Sequence, residues 1–180
     1  MYFEHASIQS ALDQLFETLN QVDPEGTDWQ IGTAESCTGG LVAAALTDRA
    51  GSSTWIDGGV VSYSNEAKMS WLEVPEATLN THGAVSEPVA RAMVSGVCQH
   101  RGLNLAVAIS GIAGPGGGTE TKPVGTVWLA WGNTENQTTH CYHFDGDRQA
   151  VRLQALEAAL TGLIQWIQHA TQRPSPTENH

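Results

Sequence analysis

Lysine is nearly absent from this sequence: Lys68 and Lys122 are the only two in 180 residues. Protein surfaces ordinarily use lysine freely for solubility, so each one that remains directs attention to its neighbours. Basic residues number 8 against 19 acidic ones, a formal net charge of -11. So acidic a chain repels nucleic acid and anionic membrane surfaces at long range, and neither is expected as a partner. A phosphorylated substrate would need local donors that oppose this field. Cysteine is also scarce. Cys37, Cys98 and Cys141 are odd in number and lack metal-ligand spacing, which argues against a disulfide framework and a zinc site. No apolar run reaches the length of a membrane span. The start, MYFEHASIQS, lacks the basic flank and apolar stretch of a signal peptide. The expected location is cytoplasmic.

What is present is enough apolar material for one core, 41% of the residues. Apolar spacing predicts helices over Ser7–Leu19, Leu41–Thr47, Asn65–Leu72, Ser86–His100 and Asp147–His169. A minor helical piece ends at His82-Gly83. Ser64 or Asn65 is the expected cap of the third helix, and Ser86 of the fourth. Strands are predicted over Trp29–Ala34, Ile56–Tyr63 and Leu103–Ile109, the second of them buried. Val124–Trp131 and Thr138–Phe144 read as a hairpin. The stretch from Ser110 to Gly118 reads as loop, being too rich in glycine for regular structure. This alternation implies an α/β fold, a single three-layer α/β/α domain with a mixed sheet over residues 1–170. Residues 171–180 read as a disordered polar tail.

The 19 glycines cluster, and the clusters adjoin the residues that carry chemistry. Ser36 sits between a strand and a helix, followed by Gly39-Gly40. The N–H groups that open a helix lack partners and suit an oxyanion formed in acyl transfer. Read locally, Ser36 and Thr38 are explained as well by helix capping. A nucleophilic serine needs a base, and none of the seven histidines stands in a triad context. Lys68, in YSNEAK, is the better candidate. It works only when neutral, which requires burial or a neighbouring cation. The competing reading is an exposed helix lysine paired with a carboxylate. Cys37 is the rival nucleophile. The segment GIAGPGGGTETKPVG can bring backbone N–H groups close to a ligand oxygen and, with the charge of Lys122, hold a phosphate; a flexible surface loop is the competing reading. Arg148 and Arg152 open the last helix, where cations oppose the dipole; this hints that Arg148 meets an anion.

Five segments, TAESCTGGLVA, GGVVSYSNEAK, HGAVSEPVA, SGIAGPGGGTETKPVGTVW and GDRQAVR, together resemble the CinA C-terminal domain family, from about Gln30 to Gln168. The characterised activity of that family is nicotinamide-nucleotide amidase. The resemblance implies a Ser–Lys hydrolase: Ser36 as nucleophile, Lys68 as base and Tyr63 as supporting tyrosine. It implies substrate contacts from Ser110, where relatives often carry threonine, and Arg148; the helix start and the glycine-rich loop add Cys37, Thr38, Gly39, Gly111, Gly114 and Lys122 as candidate contacts. Nicotinamide mononucleotide is the implied substrate, with no metal or cofactor, and a homo-oligomer is the implied assembly. Gly116 stands where an acidic residue is common. A competence-associated protein-binding module without catalysis is the alternative.

Overall fold

The computed structural model describes residues 5–172. Its elements are α1 (Ala6–Val22), β1 (Ile31–Glu35), α2 (Leu41–Thr47), β2 (Ile56–Val61), α3 (Asn65–Leu72), α4 (Glu76–His82), α5 (Glu87–Arg101), β3 (Leu105–Gly111), β4 (Thr126–Gly132), β5 (Gln137–His143) and α6 (Arg148–Gln172). The sheet order is β2-β1-β3-β4-β5. β1 is parallel to β2 and β3, and β4 is antiparallel to β3 and β5. The fold is therefore α/β with a mixed sheet, as expected.

Side-chain alternation on the central strand β3 builds the two outer layers. Leu105, Val107 and Ile109 join one core with α1, α2 and α6, while Ala106 and Ala108 face the other with α3, α4 and α5. Small residues on that second face let α5 approach the sheet closely. Ile8, Leu12, Leu15 and Leu19 recur at helical spacing and bury α1. Gly96 on α5 takes the backbone of Leu72, at the end of α3, in a contact that leaves no space for a Cβ. This contact seats α3, the helix that carries Lys68.

Several expected boundaries shift. β2 is an edge strand in which Ile56 alone is buried and the residues after it alternate between exposed and half-buried, so the expectation of a buried strand fails: glycines and exposed valine suit a strand with one open side. β3 continues through Ser110 and Gly111, because the β4 register extends to Gly111 opposite Val127; the loop starts later than glycine content suggests. The Ser64 hydroxyl caps α3 by accepting from Ala67 N–H. Ser86 has no such bond and donates to the Gly83 carbonyl instead. α6 runs to Gln172, so the expected tail begins within a helix at 171 and 172, and 173–180 lie outside the described residues.

Asp23, at the end of α1, organises the turn into β1. Its carboxylate accepts from the backbone N–H groups of Thr27, Asp28 and Trp29. Burial by itself raises its pKa, but these N–H groups outweigh burial and hold it below the ordinary 3.8. A depressed folded pKa adds stability that is present above the unfolded value and lost as pH falls through the folded one. Asp23→Ala is expected to lower unfolding free energy by about 1–3 kcal/mol in urea titrations at pH 7. The difference from wild type should shrink in acid below the ordinary carboxylate range; a constant difference would exclude the charge as its source.

Candidate active site

Ser36 and Lys68 are 32 residues apart in sequence and meet above the end of β1. Lys68 is only 1% exposed. Its Nζ lies 3.0 Å from Ser36 Oγ, 2.8 Å from the Ser62 carbonyl and 3.2 Å from the Tyr63 carbonyl. Among the described residues no carboxylate forms an ion pair with it, so the reading of an exposed, paired lysine fails. Desolvation holds Lys68 below its ordinary 10.5, against a smaller opposing influence from Cys37. Two of its three partners are carbonyls, which only accept. A neutral amine therefore uses both N–H groups on them and turns its lone pair to the hydroxyl of Ser36.

The turn after Ser36 is shaped by a residue that sequence patterning does not single out. Glu35 is fully buried and accepts from the N–H groups of Gly40, Val42 and Ala43 and from the hydroxyl of Thr33. It thus occupies the N-terminus of α2, where negative charge is favoured. Strand alternation sends Glu35 toward α2 and Ser36 toward α3. The Glu35 carbonyl accepts from Ser62 N–H, and the Ser62 carbonyl holds Lys68. One residue thereby links the turn of Ser36 to the strand end that fixes Lys68. A carboxylate closing an otherwise uncharged strand is the signal by which sequence could find it. Gly40 adopts a φ of 91° as the cap of α2, a left-handed conformation that glycine reaches without a Cβ penalty.

The expected backbone donors divide. Gly39 N–H is engaged by the Ser36 carbonyl, so it is unavailable to an oxyanion. The N–H groups of Cys37 and Thr38 meet no acceptor on another residue among the described residues. The Thr38 hydroxyl is buried without a partner among the described residues, and its carbonyl accepts from Arg152 Nη2 at 2.8 Å.

Ser36, Lys68, Tyr63, Cys37, Ser110, Gly111, Gly114 and Arg148 line one cleft of about 310 Å³, in which no Asp or Glu takes part. That is the lower end of ligand-site volumes. The Ser110 hydroxyl donates to the Ala84 carbonyl, leaving its lone pairs as acceptors. Tyr63 is 60% exposed at the mouth, and its hydroxyl accepts from Arg148 Nη2 at 3.2 Å. It makes no side-chain bond to Ser36 or Lys68; its main-chain carbonyl is what touches the base. Arg148 Nη1 donates to the Gly114 carbonyl at 2.7 Å. Lys122 stands apart: its Nζ donates to the His82 carbonyl at 2.8 Å, and it does not line the cleft. Thr38 and Gly39 lie behind the turn and do not line it either. Cys37 is 5% exposed and belongs to the core on the α2 side, and burial pushes its thiol up to about 11. A thiol so placed is a poor nucleophile.

The family model of the CinA C-terminal domain matches residues 10–167. A nicotinamide-nucleotide amidohydrolase PncC of Pseudomonas putida is 53% identical over 136 residues, covering 76% of this chain and 85% of that protein. The protein of the same name from Escherichia coli strain K12 is 50% identical over 157 residues, 87% of this chain and 94% of its own length. Among solved structures, a competence-damaged protein (CinA) superfamily protein from Klebsiella pneumoniae superposes with a TM-score of 0.83 at 39% identity, covering 90% of this chain and 98% of that one.

Proposed function

The chain belongs to the CinA C-terminal domain family, and on that premise we propose that it hydrolyses the carboxamide of nicotinamide mononucleotide to the carboxylate and ammonia. The observation that carries this reading is the buried Lys68 amine held 3.0 Å from Ser36 Oγ by two main-chain carbonyls. Such a pair performs acyl transfer without a histidine.

In this mechanism neutral Lys68 takes the proton of Ser36 as Oγ attacks the carboxamide carbon. The N–H of Cys37, the residue of this turn that lines the cleft beside Ser36, serves the developing oxyanion. Lys68 then returns the proton to the leaving ammonia, and the acyl group stays on Ser36. Water enters the vacated position, gives a proton to Lys68 as it attacks the acyl carbon, and Lys68 passes that proton to Ser36 Oγ as the acyl–oxygen bond breaks and the acid leaves. The substrate carboxamide N–H groups find acceptors in the lone pairs of Ser110. The exposed Tyr63 ring offers its face to the pyridinium. The competence-module alternative has no observation of its own in its favour. Ammonia release from nicotinamide mononucleotide by the purified chain tests the reading. Release is the expected outcome; a folded chain that liberates none would overturn it.

A further inference from the structure

We propose that the phosphate of the substrate lies outside the catalytic cleft, in an adjoining cleft where Arg148 and Arg152 stand one turn apart on α6, and that Arg152 is a specificity-determining residue. The inference rests on the amidase reading above.

The adjoining cleft is about 600 Å³ and is lined by Pro115, Val124, Asp147, Gln149 and both arginines. It shares Ala113 and Arg148 with the catalytic cleft. The two spaces therefore adjoin at Ala113 and Arg148, as a ligand with a carboxamide at one end and a phosphate at the other requires. Two arginines at i and i+4 share a helix face and repel each other. Arg148 also opens α6, where the helix dipole disfavours a cation. Local electrostatics thus run against this placement twice, in a chain with only 8 basic residues. Departures of this kind concentrate at functional sites. A dianion between the two guanidiniums relieves both costs through charge-assisted hydrogen bonds.

The other cation suggested by the sequence is elsewhere. Lys122 is tied to the His82 carbonyl and lines neither cleft. The glycine-rich loop meets Arg148 with an acceptor, the Gly114 carbonyl, where a phosphate needs donors. Asp147 is the one carboxylate in the adjoining lining, and its Oδ1 is held by Ala150 N–H. Arg152 also donates to the Thr38 carbonyl, so some structural loss on replacing it is expected, and a ratio of two substrates subtracts that loss.

The measurement is kcat/KM for nicotinamide mononucleotide and for nicotinamide riboside, in wild type, Arg152→Met and Arg152→Lys. The mononucleotide-to-riboside ratio is expected to fall about 100-fold in Arg152→Met, with Arg152→Lys in between. A purely structural role lowers both substrates alike and leaves the ratio where it was, which would overturn the proposal. Wild type alone gives a second arm that needs no variant to fold. Inorganic phosphate is expected to inhibit mononucleotide turnover competitively and to leave riboside turnover uninhibited; equal inhibition of both, or of neither, would overturn it. Turnover of neither substrate by folded wild type would instead bring down the amidase reading itself.

Discussion

Replacing Lys68 by alanine or by arginine is expected to reduce kcat by about 10⁴-fold or more, the scale seen when one member of a tightly coupled nucleophile–base unit is lost. The arginine variant is the more informative. It retains positive charge and donors for the Ser62 and Tyr63 carbonyls, but a guanidinium does not release its proton near neutral pH. Its failure would separate proton transfer from mere charge. The pH dependence follows from the same burial. Desolvation lowers the pKa of Lys68 below 10.5, and the neutral form is the base. Activity should therefore rise with pH along a limb that lies below the ordinary lysine range. The fold should also gain stability with pH between the folded pKa and 10.5, because there the unfolded chain binds a proton that the folded chain does not. Steady-state rates from about pH 5 to 10 provide the check. A flat profile, together with measurable turnover in Lys68→Arg, would remove Lys68 from the mechanism.

Ser36→Ala is expected to cost about 10⁴-fold or more in kcat, while Cys37→Ala should stay within a few-fold of wild type. The contrast comes from adjacent side chains on opposite faces. The Ser36 hydroxyl meets Lys68. The Cys37 thiol packs into the α2-side core with its pKa pushed up to about 11, so little thiolate exists near neutrality. Brief iodoacetamide treatment near pH 7 should accordingly leave turnover intact. Rapid inactivation at Cys37, or survival of activity in Ser36→Ala, would transfer the nucleophile's role to the thiol. Mass spectrometry after rapid quenching adds a direct view, since an acyl adduct is expected on the peptide that contains Ser36.

Elements with strong periodicity are legible in the sequence because their burial is written into residue spacing. α1, α5 and α6 repeat apolar residues at helical intervals, and the β4–β5 hairpin brackets a polar turn. The exposure of β2 is not legible: Ile56 to Val61 is rich in apolar residues, but nothing in that run says which neighbour covers them. Its place at the sheet edge depends on the strand order. Ser110 and Gly111 resemble loop because glycine reads as a breaker, whereas antiparallel pairing with β4 carries them on as strand.

The site divides in the same way. The chain's scarcity of lysine and the segments around Ser36 and Lys68 single out both residues, because composition and motif are properties of the sequence itself. Which atoms each one meets is not such a property. Lys68 gains the environment of a base only where α3 delivers it to a buried position against two carbonyls. Arg148 draws the Tyr63 hydroxyl away from the pair, and the His82 carbonyl draws Lys122 away from the cleft. Glu35, which orders the turn after Ser36, and Arg152, which reaches that turn from α6, take their places through contacts that residue spacing does not give. By itself the sequence determined the layered α/β architecture and the family, and it singled out Ser36 and Lys68. The tertiary structure decided their protonation environment, the donors left for an oxyanion and the course of the cleft, because each of these depends on distances between segments that the chain brings together only on folding.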